Sequence, residues 1–152
     1  MFGGAYKKES FMKVLVAAVA DHAWVENGCL SLCRTFDSIN VDKFPYVMPR
    51  MSVALRLLIN RLEIGEHNLG ISLTDADGQK LMNSEIKMGF QLPQGSVPEA
   101  SFSFALNGQN VSFQKPGDYV VNILVDGRVE ASIPLYVREN KGDNKLDIPD
   151  RI

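Results

Sequence analysis

The chain has 152 residues, 45% hydrophobic and 22% charged, with a formal net charge of -2. That length is enough to bury one core without staples and too short for two comfortable domains. The charge balance, with no dense Lys/Arg cluster, argues against a nucleic-acid surface, and no apolar run approaches the ~20 residues that span a bilayer, so neither a nucleic-acid nor a membrane partner is expected.

In chain order, residues 1–11 form an N-terminal extension, residues 12–137 one domain, and residues 138–152 a polar tail. Met12 to Asp21 is apolar on both faces. Lys13 before Val14 to Ala20, with Ala18-Val19-Ala20 ahead of Asp21, also has the outline of a secretion signal and its cleavage site. The apolar run is short for that role. The segment is therefore read as a first strand, central or covered on both sides, with Asp21-His22 as its exit turn.

The next strand carries the two cysteines, Cys29 and Cys33. Four apart on one face, they stand about 13 Å from each other at a rise of roughly 3.3 Å per residue, beyond disulfide reach. They are expected to be half-buried thiols in a reducing, cytoplasmic setting. No metal site or cofactor is expected, since a zinc site would need two further ligands and only His22 and His67 are on offer besides carboxylates.

Phe36 to Arg50 reads as a long connection with two prolines, and Phe44, Tyr46 and Met48 crowd together in it. Such side chains either close one end of the fold as a lid or stand exposed as a binding patch. After it, Ser52 to Ile59 alternates with period two, as do Leu69 to Leu73, Ile86 to Phe90 and Phe102 to Leu106. Asp77-Gly78 and Asn107-Gly108 are read as turns, because each pair tolerates positive φ. The stretch Lys115 to Val137 is the plainest hairpin, turning at Asp126-Gly127. Gly117-x-Tyr119 matches the pattern in which a tyrosine caps backbone at a sheet crossing, and Pro134 suggests that the last strand lies at an edge. Some eight or nine short strands and no long amphipathic helix predict an all-β, antiparallel, immunoglobulin-like β-sandwich.

The order Asp21-His22-Ala23 after an apolar strand, Gly28 to Leu32, Phe44-Pro45, Pro49 before "VALRL", then "DADGQKL" and "PGDYVVNILVDG", resembles a family of small bacterial β-sandwich proteins of unknown function. The resemblance spans residues 12–137. It implies a cytoplasmic β-sandwich and brings no catalytic residues with it. The chain departs from that pattern at Asn27-Gly28-Cys29-Leu30, where Gly-Lys-Leu is expected, and in its longer extensions.

Three functional readings remain. The preferred one is a non-enzymatic protein-interaction module, or a subunit of a complex or homo-oligomer, binding through Phe44, Tyr46 and Met48, through an edge strand, or through Leu146 and Ile148 in the tail. A second is a small-ligand or carbohydrate site using Trp24, Tyr46 and His22. A remote third is an enzyme pairing His22 with Cys29 or Cys33. Adjacent Asp21 and His22 point to opposite faces of a strand, so they form no acid-imidazole dyad there.

Overall fold

A computed structural model describes residues 12–91 and 98–140. Among them are nine strands: β1 (Lys13–Glu26), β2 (Cys29–Thr35), β3 (Ser38–Val41), β4 (Tyr46–Asn60), β5 (Gly65–Thr74), β6 (Lys80–Phe90), β7 (Glu99–Phe113), β8 (Gly117–Val125) and β9 (Arg128–Glu139). Their only helical piece is a single 3-10 turn, Arg61–Glu63. The strands form two sheets, ordered β2-β1-β4-β7 and β3-β9-β8-β5-β6.

The two sheets enclose one core. From the first come Val19, Val53, Leu55, Leu57 and Ile59; from the second, Leu69, Ile71, Leu73, Val121, Ile123 and Leu135. These are the period-two positions, so burying alternate side chains fixes the register of each strand. Leu55, Leu57 and Ile123 are completely excluded from solvent.

Turn chemistry sets several of the connections. Asp126 (φ 51°) and Gly127 (φ 81°) are both left-handed, the geometry of a tight hairpin turn matched to strand twist. At Asp77-Gly78, Asp75 Oδ1 accepts from the backbone N–H groups of Asp77 and Gln79, both at 2.9 Å. The Tyr119 hydroxyl donates to the Lys115 carbonyl at 2.6 Å, pinning the entry of β8 to the turn before it. Its ring meets Phe113 edge-on at 5.1 Å, so the same residue ties the two sheets together.

Six expectations from the sequence are corrected. The sheets are not wholly antiparallel, because β3 runs parallel to β9, with Ile39 opposite Val137. The stretch Phe36 to Arg50 is not one long loop: Ile39 and Val41 are buried as β3, and β4 already begins at Tyr46. Asn107-Gly108 is no turn, since β7 passes straight through it beside β4. Asn107 Oδ1 instead accepts the Ser52 hydroxyl, and a Cβ on Gly108 would stand 3.2 Å from the Met51 carbonyl. β9 is not the terminal strand of its sheet, as it lies between β3 and β8, but β3 covers it only from Tyr136 onward, so Pro134 does stand on a stretch that is unpaired on that side among the described residues. Finally, β1 does not stop at Asp21 but continues to Glu26, and the thiols of Cys29 and Cys33 on β2 are exposed rather than half-buried.

The long first strand does two jobs. Lys13 to Ala20 pairs with β4 and Ala20 to Glu26 with β2, so β1 links the two strands through successive halves, with Ala20 paired on both sides, rather than running centrally between them as expected. Beyond Ala20 it leaves β4 and carries β2 with it across the outer face of the sheet. The Gly28 carbonyl at the hairpin tip accepts from Arg56 Nη1 at 3.0 Å and from the Ser103 hydroxyl at 3.2 Å, on β4 and β7 respectively. Ser52 and Ala54 face outward from β4 and are nonetheless fully buried. Small side chains there let the hairpin approach closely.

Candidate functional site

The candidate surface grows from a change of face shared by β4 and β7. Along β4, odd residues from Met51 to Ile59 point into the core, whereas Tyr46 and Met48 are the core-packed positions at its start. Along β7 the inward positions change from Phe102, Phe104 and Leu106 to Val111 and Phe113. The change falls where Pro49 and Asn110 lie abreast, between the pairs Met48–Val111 and Arg50–Gln109. Asn110 sits at φ 54°, in the left-handed region an asparagine tolerates, and Pro49 has no amide to offer the ladder.

This switch, together with the departure of β1 after Ala20, opens a groove of about 490 Å³ lined by Asp21, Tyr46, Met48, Pro49, Arg50 and Gln109. A second groove, about 300 Å³, runs on the other side of Tyr46, between the end of β3 and Val47. Tyr46 is the shared wall. Val47, between the two core-packed side chains, is 49% exposed. On the rim, Asp21 pairs with Arg34 at 3.2 Å, an exposed ion pair that orders the groove more than it stabilises the fold. Both grooves are open and shallow. A flat contact suits them better than an engulfed small molecule.

The structure gathers Tyr46 and Met48 in one groove, with the half-buried Phe44 just before them across a cis Phe44–Pro45 peptide. It sets Trp24 elsewhere. Trp24 is 40% exposed on the distal half of β1, its ring 5.2 Å from that of His22, and it lines neither groove. His22 faces Cys33 directly across the β1–β2 ladder, while Cys29 faces Glu26. The Nδ1 of His22 is buried without a hydrogen-bond partner, so the ring makes no imidazole–thiol bond through that atom. Leu146 and Ile148 lie outside the described residues. Among the described residues, no three His, Cys, Asp or Glu side chains group to hold a metal ion, and no helix is long and apolar enough to cross a membrane, which says nothing of a β-barrel.

One polar cluster escaped the sequence reading. The His67 ring lies between two acceptors, with Nδ1 2.6 Å from Asp126 Oδ2 and Nε2 2.7 Å from the Glu63 carbonyl. Asp126 Oδ1 also accepts from the Asn68 N–H at 2.9 Å. Burial pulls the Asp126 carboxyl upward, but the Asn68 N–H, His67 and the nearby Arg128 outweigh it and hold the group below its ordinary value. His67 stacks on the buried Phe90 at 4.6 Å, so the cluster locks the β8–β9 turn to the 3-10 turn rather than facing a groove. Its members are some sixty positions apart, and only the turn role of Asp126 has a local signature.

The model of a family of unknown function (DUF6941) matches residues 15–138, and the chain belongs to that family. No curated protein matches it in sequence. Among solved structures, it is similar to the Pseudomonas fluorescens alkylpurine DNA glycosylase AlkC bound to DNA containing an abasic site analog, with a TM-score of 0.53 and 15% identity. The match covers 86% of this chain and 31% of that one, so the chain spans about a third of the glycosylase, and the likeness is one of fold. It corrects one expectation. A fold like this occurs within a DNA-bound protein, so a net charge of -2 is no ground for excluding nucleic acid. Net charge sums over the whole surface, whereas a duplex meets one face.

Proposed function

We propose that this member of the family is a binding module whose Tyr46–Met48 surface docks a protein partner, and that its two sheets are an immunoglobulin-like sandwich. The reading is carried by Val47, an exposed branched side chain held between the core-rooted Tyr46 and Met48 where two open grooves meet. An apolar centre with a charged rim of Asp21, Arg34 and Arg50 is the anatomy of a contact that excludes water at its middle and sets orientation at its border. The cap of Tyr119 on the Lys115 carbonyl supports the immunoglobulin-like reading.

The test compares the wild-type chain with Val47→Asp in affinity purification from the native host, followed by titration of the recovered partner. A charge at the centre of the contact is expected to weaken binding by tenfold or more while leaving the melting temperature nearly unchanged; equal binding by both chains would refute the surface. A parallel titration against duplex DNA, intact or with an abasic-site analogue, separates the other class of partner. Binding to DNA that is lost in Val47→Asp, with no protein recovered, would replace the protein reading.

A further inference from the structure

Each sheet has two edges, and they are not equally defended. β3 is only four residues long, and β2 is seven residues with Arg34 near its end in the left-handed region at φ 60°. β6 carries exposed Lys80, Glu85 and Lys87 along its length. Short length, backbone irregularity and charge are the devices that keep an edge from templating a further strand.

β7 has such devices only at Glu99, its first residue, and at the left-handed Asn110. It is fifteen residues long, and from Ala100 to Phe113 it contains neither a charged residue nor a proline. It is the last strand of its sheet, and among the described residues nothing pairs with its outer side. Its inward row, Phe102, Phe104 and Leu106, is packed on the core yet only half-buried, so apolar surface continues up to the open edge. Phe102 stands 4.7 Å from Phe90, which backs this row with a rigid ring.

We propose that the β7 edge is a homodimer interface, in which β7 of one copy pairs antiparallel with β7 of a second and joins the two four-stranded sheets into one. The absence of charge argues for a second copy as occupant. Pairing a strand with itself about a two-fold axis sets its own residues opposite one another, and like charges there repel. β6 would bring Glu85 against itself in a pairing centred on the strand, whereas β7 brings none.

The register follows from the strand's own limits. The stretch before the face switch at Asn110 runs from Glu99 to Gln109 and has Phe104 at its midpoint. A two-fold axis at Phe104 sets Phe104 against its copy and Phe102 against Leu106, so the two apolar rows meet. On the outer face it sets Ser101 against Asn107, and Glu99 against Gln109.

That last pair makes the register testable at an exposed position. Sedimentation of the full chain over a concentration series, with reductant present to keep Cys29 and Cys33 from cross-linking, should show a reversible dimer. Gln109→Glu places a like charge opposite Glu99 twice per dimer and should weaken association about threefold or more; Gln109→Lys should strengthen it comparably. Amide exchange within Ala100–Gln109 should slow as wild-type concentration rises, a readout independent of any variant. A chain that stays monomeric into the millimolar range, or a dimer indifferent to both charges at Gln109, overturns the proposal.

Discussion

At the scale of single residues, the His67–Asp126 contact is where pH should act on this fold. Both neighbours of the ring are acceptors while Asp126 is ionised, so the arrangement depends on the carboxylate. The carboxyl of Asp126 is held below its ordinary value, and a depressed folded-state value means that the native state favours the ionised form. Its contribution is therefore complete above the ordinary carboxylate range and is lost as pH falls from about 4 downward. Melting temperatures of wild type and Asp126→Asn, measured from neutral pH into that acid range, should converge as the wild type loses its advantage. Parallel curves across the whole range would mean that the contact does not contribute. Because Asp126 is about half exposed, the effect at neutral pH should be modest.

At the scale of elements, the β1–β2 hairpin illustrates what alternation conveys and what it does not. Arg56 lies on an outward face, where the sequence suggests only a solvated charge. Its guanidinium donates to the Gly28 carbonyl at 3.0 Å and to the hydroxyls of Ser103 and Ser101, both at 2.6 Å. It fastens a folded-over hairpin to β4 and β7. Replacing it by methionine keeps the apolar stem and removes these bonds, so a loss of about 1 to 3 kcal/mol is expected. Amide exchange should accelerate at the hairpin tip first, before the core of β4; uniform acceleration along both would show that Arg56 acts on the whole sheet.

The same contrast explains which elements were legible beforehand. Ser52 to Ile59 and the hairpin at Asp126-Gly127 could be read because one face is buried and the turn demands left-handed residues. Asn107-Gly108 misled because those residues also serve a straight strand, one by accepting from Ser52 and the other by making room for the Met51 carbonyl. β3 was hidden because four residues flanked by polar ones carry too little periodicity, and its pairing with β9 is set by a partner about a hundred positions away. Tyr46 and Met48 stand out in the sequence by their crowding among prolines. The face switch that turns them toward the core depends on Asn110, which no local pattern connects to Pro49.

At the scale of the whole molecule, the question is whether two sheets with different edges unfold as one body. Their buried side chains form a single cluster in which Leu55 of one sheet and Ile123 of the other are both fully excluded from water. Neither sheet can retain its inner face dry without the other, so a single cooperative transition is expected. Each sheet carries its own probe. Trp24, the sole tryptophan, reports on the sheet built around β1 and β4, and the stacked His67 ring reports on the sheet built around β5 and β8. Trp24 fluorescence and the His67 ring resonances should therefore give coincident denaturation midpoints. Leu55→Ala should lower both midpoints together, by an amount equivalent to about 2 to 5 kcal/mol, since it removes buried methyl groups and leaves a cavity between the layers. If Leu55→Ala moved the Trp24 midpoint while the His67 midpoint stayed in place, the sheets would be separate folding units. The surface proposed at Tyr46 would then span two folding units, because one of its grooves is lined by residues of β1, β4 and β7 and the other by the end of β3.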